Sequence, residues 1–162
     1  MLPWISEVDF YQNKESYINS LRWVQLATIG LDNYPRVRTV VFRGWTDTYE
    51  MKILTDKRSQ KFFELESNNN VEICWLFQES MCQFRFRGKS RIDFSKDTIY
   101  HWEKLDYRSK SMWNWPTPGT KFELNNNNEI LIEKNRVYNK NFILLKIKFF
   151  YVEQLVLNNH IH

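Results

Sequence analysis

The chain has 162 residues, a net charge of +4 and an aromatic content of 17%, with 7 Trp, 8 Tyr and 12 Phe. Such content excludes a disordered chain, the length suits one domain with a core, and the mild positive charge permits an anionic ligand without demanding nucleic acid. No apolar run reaches the ~18 residues of a membrane span, and Met1-Leu2-Pro3-Trp4 leads straight into acidic and polar residues, unlike a secretory leader.

The cysteines, Cys74 and Cys82, fit no metal-ligand spacing, so the reading is cytoplasmic, with Cys74 a buried thiol and a disulfide unsupported. Ser6 to Arg22 predicts a helix capped by Ser6, with Phe10, Tyr17, Ile18 and Leu21 near one face. Trp23–Ile29 reads as a strand, Gly30–Pro35 as a turn, Arg36–Trp45 as the returning strand and Tyr49–Thr55 as a third. Asp56 can cap a helix through Glu66 that stops at Ser67-Asn68-Asn69-Asn70, asparagines suited to left-handed geometry.

Val71–Phe77 predicts a strand whose uninterrupted apolar second half implies cover on both faces. Met81–Phe94 alternates, with Gln83, Arg85, Arg87, Lys89 and Arg91 on one face and Phe84, Phe86 and Ile92 on the other. Ser95–Thr98 opens a helix with Ile99, Trp102 and Leu105 on its face, and Ser109–Trp115 adds a short one stopped at Pro116–Gly119. Glu123–Asn128 reads as a polar loop, and Phe142–Phe150, running on to Leu157, as the last strand. Sequential antiparallel strands with inserted helices predict a small closed barrel of about six strands, mainly β or α+β, in a single domain over residues 1–162.

The stretch from Arg36 to Lys61 gathers several cations, Ser59 and the N–H groups of a helix start, the chemistry that a phosphate monoester needs. The plain alternative is a basic hairpin with solvated arginines. The Gln83–Arg91 face is likewise either a second cationic wall or a wet surface. His160 and His162 have no third partner and read as a tail, so no metal is expected; His101 reads as a packing residue, and Trp102, Trp113 and Trp115 as core or dimer contact. No residue stands out as a catalytic acid or base.

Arg38-Thr39-Val40-Val41-Phe42-Arg43, Thr55-Asp56-x-Arg58-Ser59-x-Lys61 and Gln83-Phe84-Arg85-Phe86-x-Gly88 together resemble the FMN-binding split-barrel proteins related to pyridoxamine 5′-phosphate oxidase. Trp102-Glu103-x-Leu105, Arg108 and Trp113-Asn114-Trp115-Pro116-x-Pro118-Gly119 resemble its cyanobacterial and plant-type branch. The resemblance implies a six-stranded antiparallel split β-barrel with peripheral helices, binding FMN at a homodimer interface. It implies that Arg38, Ser59 and Lys61 grip the FMN phosphate, that the backbone and side chains of Thr39, Val40, Val41 and Phe42 run along the flavin, that Thr55 of the helix-start motif belongs to the same cofactor site, and that Gln83 reaches the flavin held mainly by the other subunit.

Arg43 stands where the family often has lysine, and Gln60 where the oxidases carry arginine, a charge that Arg58 could replace. Arg38 and Arg43 have opposite strand parity, so one ligand meets both only if the strand bends or the ligand spans its edge. Where the oxidases hold the substrate phosphate with tyrosine, arginine and serine on a later helix, the corresponding stretch of this chain has His101-Trp102, Leu105 and Tyr107, with only Ser109 retained, and their C-terminal tryptophan, arginine and histidine have no evident counterpart. The implied function is an FMN-dependent oxidoreductase passing a hydride through flavin N5. A flavin-binding or ligand-sensing protein without turnover is the alternative, and a nucleic-acid-binding barrel a weaker one.

Overall fold

A computed structural model describes residues 2–114, 117–119 and 138–156. Among these residues six antiparallel strands close into a barrel in the order β1-β2-β3-β6-β5-β4. The strands are β1 (Trp23–Ile29), β2 (Pro35–Trp45), β3 (Met51–Asp56), β4 (Asn70–Phe77), β5 (Cys82–Asp93) and β6 (Phe142–Val156). Helices α1 (Pro3–Lys14), α2 (Gln60–Ser67), α3 (Lys96–Lys104) and α4 (Tyr107–Ser111) lie around it. The antiparallel barrel with peripheral helices is thus the fold that the strand pattern predicts.

Alternate residues of each strand point inward, as the two-residue period of a strand requires. Val24 and Leu26, Ile53, Ile73, Trp75 and Phe77, Phe84 and Phe86, and Ile147 are buried there. Their rings interlock, with Phe42 centred 4.7 Å from Trp75 and Phe86 5.0 Å from Phe149. Helix α1 covers one mouth of the barrel, Trp4 meeting Phe86 edge-on at 5.6 Å and Tyr11 meeting Phe84 at 5.8 Å. Helix α2 brings Phe62 and Leu65 into the core beside the far end of β1, where Thr28 is buried.

Several sequence expectations are corrected. The first helix is α1 alone, started by Pro3 at its first turn, while Asn19–Arg22 forms a separate 3₁₀ turn. The chain leaves the helix at buried Glu15, whose carboxylate accepts from the Ser80 N–H at 2.8 Å. Ser6 caps nothing, Ile5 and Val8 form the buried face, and Phe10 and Tyr17 are exposed. Strand β3 begins at Met51 because Tyr49 takes a left-handed φ of 58°. Helix α2 is capped at Ser59 and not at Asp56, and Asn68 ends it in extended geometry at φ −143°, using its side-chain oxygen to accept from the Asn70 N–H. In α3 the buried residues are Thr98 and Trp102, with Ile99 exposed.

Strand β4 is not covered on both faces: Trp75 and Phe77 are buried, Leu76 is exposed and Cys74 faces outward, half-buried. Double cover belongs to β6. Its Ile143, Leu145 and Ile147 line the interior, while Phe142 packs outside against Trp102 at 5.2 Å and Lys146 lies under α3. Asp93 and Asp97 hold Lys146 at 3.1 and 2.6 Å. Burial alone would lower the Lys146 pKa, but its hydrogen bonds to these carboxylates leave it raised.

Between Arg87 and Gly88 the β5–β6 register shifts. A Cβ at Gly88 would lie 2.4 Å from the Lys148 carbonyl oxygen, which explains the glycine there. Pro116 and Trp115, the Glu123–Asn128 loop, the continuation to Leu157, and His160 and His162 lie outside the described residues.

Candidate functional site

The junction from β3 into α2 is built by a tight turn. The Asp56 carbonyl accepts from the Ser59 N–H at 3.0 Å and the Ser59 hydroxyl at 2.7 Å, and Asp56 Oδ1 accepts from the Arg58 N–H at 2.7 Å. Thr55, one residue before the end of β3, has the inward parity, with its hydroxyl 3.5 Å from that of Ser59 and accepting from Lys61 Nζ at 3.2 Å. Thr55, Ser59 and Lys61 are therefore one hydrogen-bonded group at a helix start, where the first N–H groups lack intrahelical partners. Burial, followed by the charge of Arg38, pulls the Lys61 pKa below the ordinary lysine value, and Asp56 and Glu64 offset only part of this.

Arg38 comes to the same helix from β2. It shares the inward parity of Val40 and Phe42, but at the barrel end its guanidinium emerges beside α2. Nη2 donates to Glu64 Oε2 at 2.7 Å, and Nη1 donates to the Thr28 hydroxyl. Thr28 in turn donates to Glu64 Oε2 at 2.6 Å. Glu64 is fully buried, and its other oxygen has no hydrogen-bond partner among the described residues. Glu64 and Thr28 are absent from the sequence reading, because a glutamate on an amphipathic helix looks solvated; its place on the Leu65 side of α2 was the available signal.

The other motif residues divide. Val40 and Phe42 are buried in the core and present only backbone outward, whereas Thr39, Val41 and Arg43 face out. The register shift in β2 begins only after Phe42, so Arg38 and Arg43 stay on opposite faces. Arg43 has a buried Nε without a hydrogen-bond partner among the described residues, and its pKa is lowered by burial and then by Arg22. The imidazole of His101 has an Nε2 without a hydrogen-bond partner among the described residues and is held below its ordinary pKa by burial and then by Lys52, with Arg43 adding to this.

Arg58 is engaged by Asp56 through Nε at 3.0 Å and Nη2 at 2.7 Å, and donates to the Trp113 carbonyl at 3.1 Å. Gln60 is exposed. Gln83 lies across the barrel on β5, opposite Leu76 and Leu155, and Ser109 sits in α4 with its N–H on Asp106. On the basic face of β5, Arg85 pairs with Glu153 at 2.7 Å, Arg87 with Glu72 at 3.3 Å and Arg91 with Glu50 at 2.7 Å. The three arginines of that face are therefore ion-paired, which leaves Lys89, in register with Lys148, as its cation without an ion pair among the described residues, less charge than a polyanion needs. An open cleft of about 660 Å³ between the end of α2 and β5 holds none of the motif residues that predict the phosphate grip.

What the β3–α2 junction can do chemically is bind an anion. Arg38 is paired with Glu64, Lys61 donates to the Thr55 hydroxyl and has no carboxylate in ion-pair contact among the described residues, and its charge is held where burial penalises it. These residues fit a phosphate ester such as that of FMN.

Comparison with known proteins agrees with this chemistry. A family profile described as "Pyridoxamine 5′-phosphate oxidase, FMN-binding domain" matches residues 1–93. The chain is 35% identical over 127 residues to "Pyridoxine/pyridoxamine 5′-phosphate oxidase 2" of Arabidopsis thaliana, covering 73% of this chain and 64% of that protein. It is 31% identical over 108 residues to "Pyridoxine/pyridoxamine 5′-phosphate oxidase" of a Psychrobacter strain, covering 66% of this chain and 47% of that protein. The chain thus spans less than two thirds of the length of both curated relatives. A pyridoxamine 5′-phosphate oxidase-related, FMN binding protein from Nostoc punctiforme superposes with a TM-score of 0.84 at 26% identity, covering 96% of this chain and 86% of that one. Barrel, junction motif and a profile match over more than half of the residues place the chain in the pyridoxamine 5′-phosphate oxidase FMN-binding domain family.

Proposed function

We propose that residues 1–162 form a single FMN-binding domain that acts in the cytoplasm, as a homodimer, as an oxidoreductase on a small molecule. Bound FMN would supply hydride transfer through its N5 position. The observation that carries this reading is the meeting of Arg38 and Lys61 at the start of α2, close enough that the charge of Arg38 lowers the Lys61 pKa, with Glu64 ion-paired to Arg38 alone among the described residues. Arg38, Ser59 and Lys61 would hold the phosphate by charge-assisted hydrogen bonds, with Thr55 orienting Lys61. Thr39, Val41 and the backbone of Val40 and Phe42 would flank the ring, and Arg43 would offer it a cation whose Nε has no hydrogen-bond partner among the described residues. Arg58, tied to Asp56, would steady the turn, with exposed Gln60 beside it.

The homodimer has support from Gln83. It stands in register with Leu76 and Leu155, both exposed, so the residue expected to reach a second subunit's flavin lies in an apolar surface. Sedimentation of the loaded protein tests this, with a monomer at micromolar concentration as the contrary result.

A flavin holder without turnover is favoured by the stretch His101-Trp102, half-buried Leu105 and Tyr107, which stands where the resembled oxidases hold the substrate phosphate and keeps of their three residues only Ser109. Reduction of bound flavin by pyridoxine or pyridoxamine 5′-phosphate separates the two, since only an oxidase shows it.

Arg38→Ala is expected to weaken FMN binding by about 1.5–3 kcal/mol, the scale of a hydrogen bond to a charged group. Fluorescence titration reads the change, and an unchanged affinity would move the phosphate site elsewhere.

A further inference from the structure

We infer that Glu64 and Thr28 are positioning residues: they grip the Arg38 guanidinium by its Nη1–Nη2 edge and thereby reserve its Nε–Nη2 edge for the oxygens of a phosphate-bearing ligand. The inference rests on the phosphate reading above and adds to it how the arginine is aimed.

A guanidinium carries five N–H donors in a plane. In Arg38, Nη1 donates to the Thr28 hydroxyl and, at 3.4 Å, to the Arg36 carbonyl. Nη2 spends one hydrogen on Glu64 Oε2 at 2.7 Å. The Nε hydrogen and the second Nη2 hydrogen have no partner among the described residues, and these two lie parallel on one side of the plane. That side is the fork that takes two oxygens of a carboxylate or phosphate at once. Two other arginines of this chain already use the same fork. Arg58 gives Nε and Nη2 to Asp56 at 3.0 and 2.7 Å, and Arg91 gives them to Glu50 at 3.0 and 2.7 Å. In Arg38 it is kept back while the opposite edge is fixed.

The fixing groups are built for it. The Glu64 side chain is 0% exposed and that of Arg38 23%, so the carboxylate is inside and the guanidinium reaches the surface. Thr28 is buried, and by donating to the same Oε2 it locks the carboxylate as well as accepting from Nη1. An arginine held at two points loses little side-chain freedom when a ligand arrives.

The test compares FMN with riboflavin, which has the same ring and no phosphate, on Glu64→Ala, Glu64→Gln and Thr28→Val, by flavin fluorescence titration with circular dichroism as the fold check. Charge alone predicts that removing a carboxylate beside an anion site tightens FMN. Positioning predicts the reverse: Glu64→Ala weakens FMN roughly tenfold while riboflavin affinity stays put. Glu64→Gln, whose amide oxygen still accepts from Nη2, should recover most of that loss. Thr28→Val should weaken FMN severalfold, and it carries the test if Glu64→Ala does not fold. Tighter or unchanged FMN binding in folded variants overturns the inference, as does a parallel loss of FMN and riboflavin. If the unaltered protein shows no preference for FMN over riboflavin, the phosphate reading itself falls and this inference with it.

Discussion

Lys61 is a cation that the folded chain holds at a disadvantage, because burial and the neighbouring charge of Arg38 both favour its neutral form. With its folded pKa below 10.5, the unfolded chain binds more protons in the window between the two values. This group therefore costs stability below its depressed pKa, and the cost fades as pH climbs toward the ordinary value. Lys61→Met should accordingly raise the thermal midpoint of the FMN-free protein while weakening FMN binding, a trade between stability and function. A bound dianion would raise the Lys61 pKa again. FMN affinity should then fall as pH rises through the depressed Lys61 pKa, with riboflavin titrated in parallel to remove ring ionisation, and a flat difference between the two would contradict it. At this scale the sequence was informative about Arg38, Ser59 and Lys61, since cations and a serine at a strand–helix turn have a chemical meaning wherever they occur. It was silent on Glu64 and Thr28, because a helical glutamate becomes buried only when a barrel end is there to bury it.

At the scale of elements, α3 is pinned to β6 by Lys146 between Asp93 and Asp97. Lys146→Ala leaves the buried Asp93 carboxylate with only the Ser95 hydroxyl at 2.7 Å and the more distant Arg91 at 3.7 Å, and should cost about 3 kcal/mol in a urea titration. Asp97→Ala, on the more exposed partner, should cost about 1 kcal/mol or less. Both carboxyl groups have lowered pKa values, so their contribution is present above the ordinary aspartate value of 3.8 and is lost as pH falls through the depressed folded values. Gly88→Ala drives a Cβ to 2.4 Å from the Lys148 carbonyl and 2.8 Å from the Phe149 ring, and should cost about 1–3 kcal/mol or disturb the β5–β6 pairing. Strand periods were legible wherever residues alternate, as in Met81–Phe94. Cys74-Trp75-Leu76-Phe77 misled because an apolar run does not say whether a helix lies over its outer side: α3 covers β6 and leaves β4 bare. Helix ends were the least legible. The α1 start is set by Pro3, and its end by the long-range bond from Ser80 to Glu15, which no local pattern reveals.

At the scale of the molecule, barrel closure turns the order of strands into a site. Because β2 and β3 are neighbours and α2 follows β3 directly, an arginine on β2 and a lysine on α2 meet at one barrel end. The opposite parity of Arg38 and Arg43, readable from the sequence, persists in the fold, and a ligand touching both must run from the barrel end onto its outer wall. The shape of FMN, a phosphate at one end of a chain and a ring at the other, suits that path. The measurement that bears most directly on the account is the affinity of the unaltered protein for FMN against riboflavin, followed by quenching of flavin fluorescence. FMN should bind at least roughly tenfold more tightly, with the preference abolished in Arg38→Ala. Equal affinities for the two, or no binding of either, would contradict it.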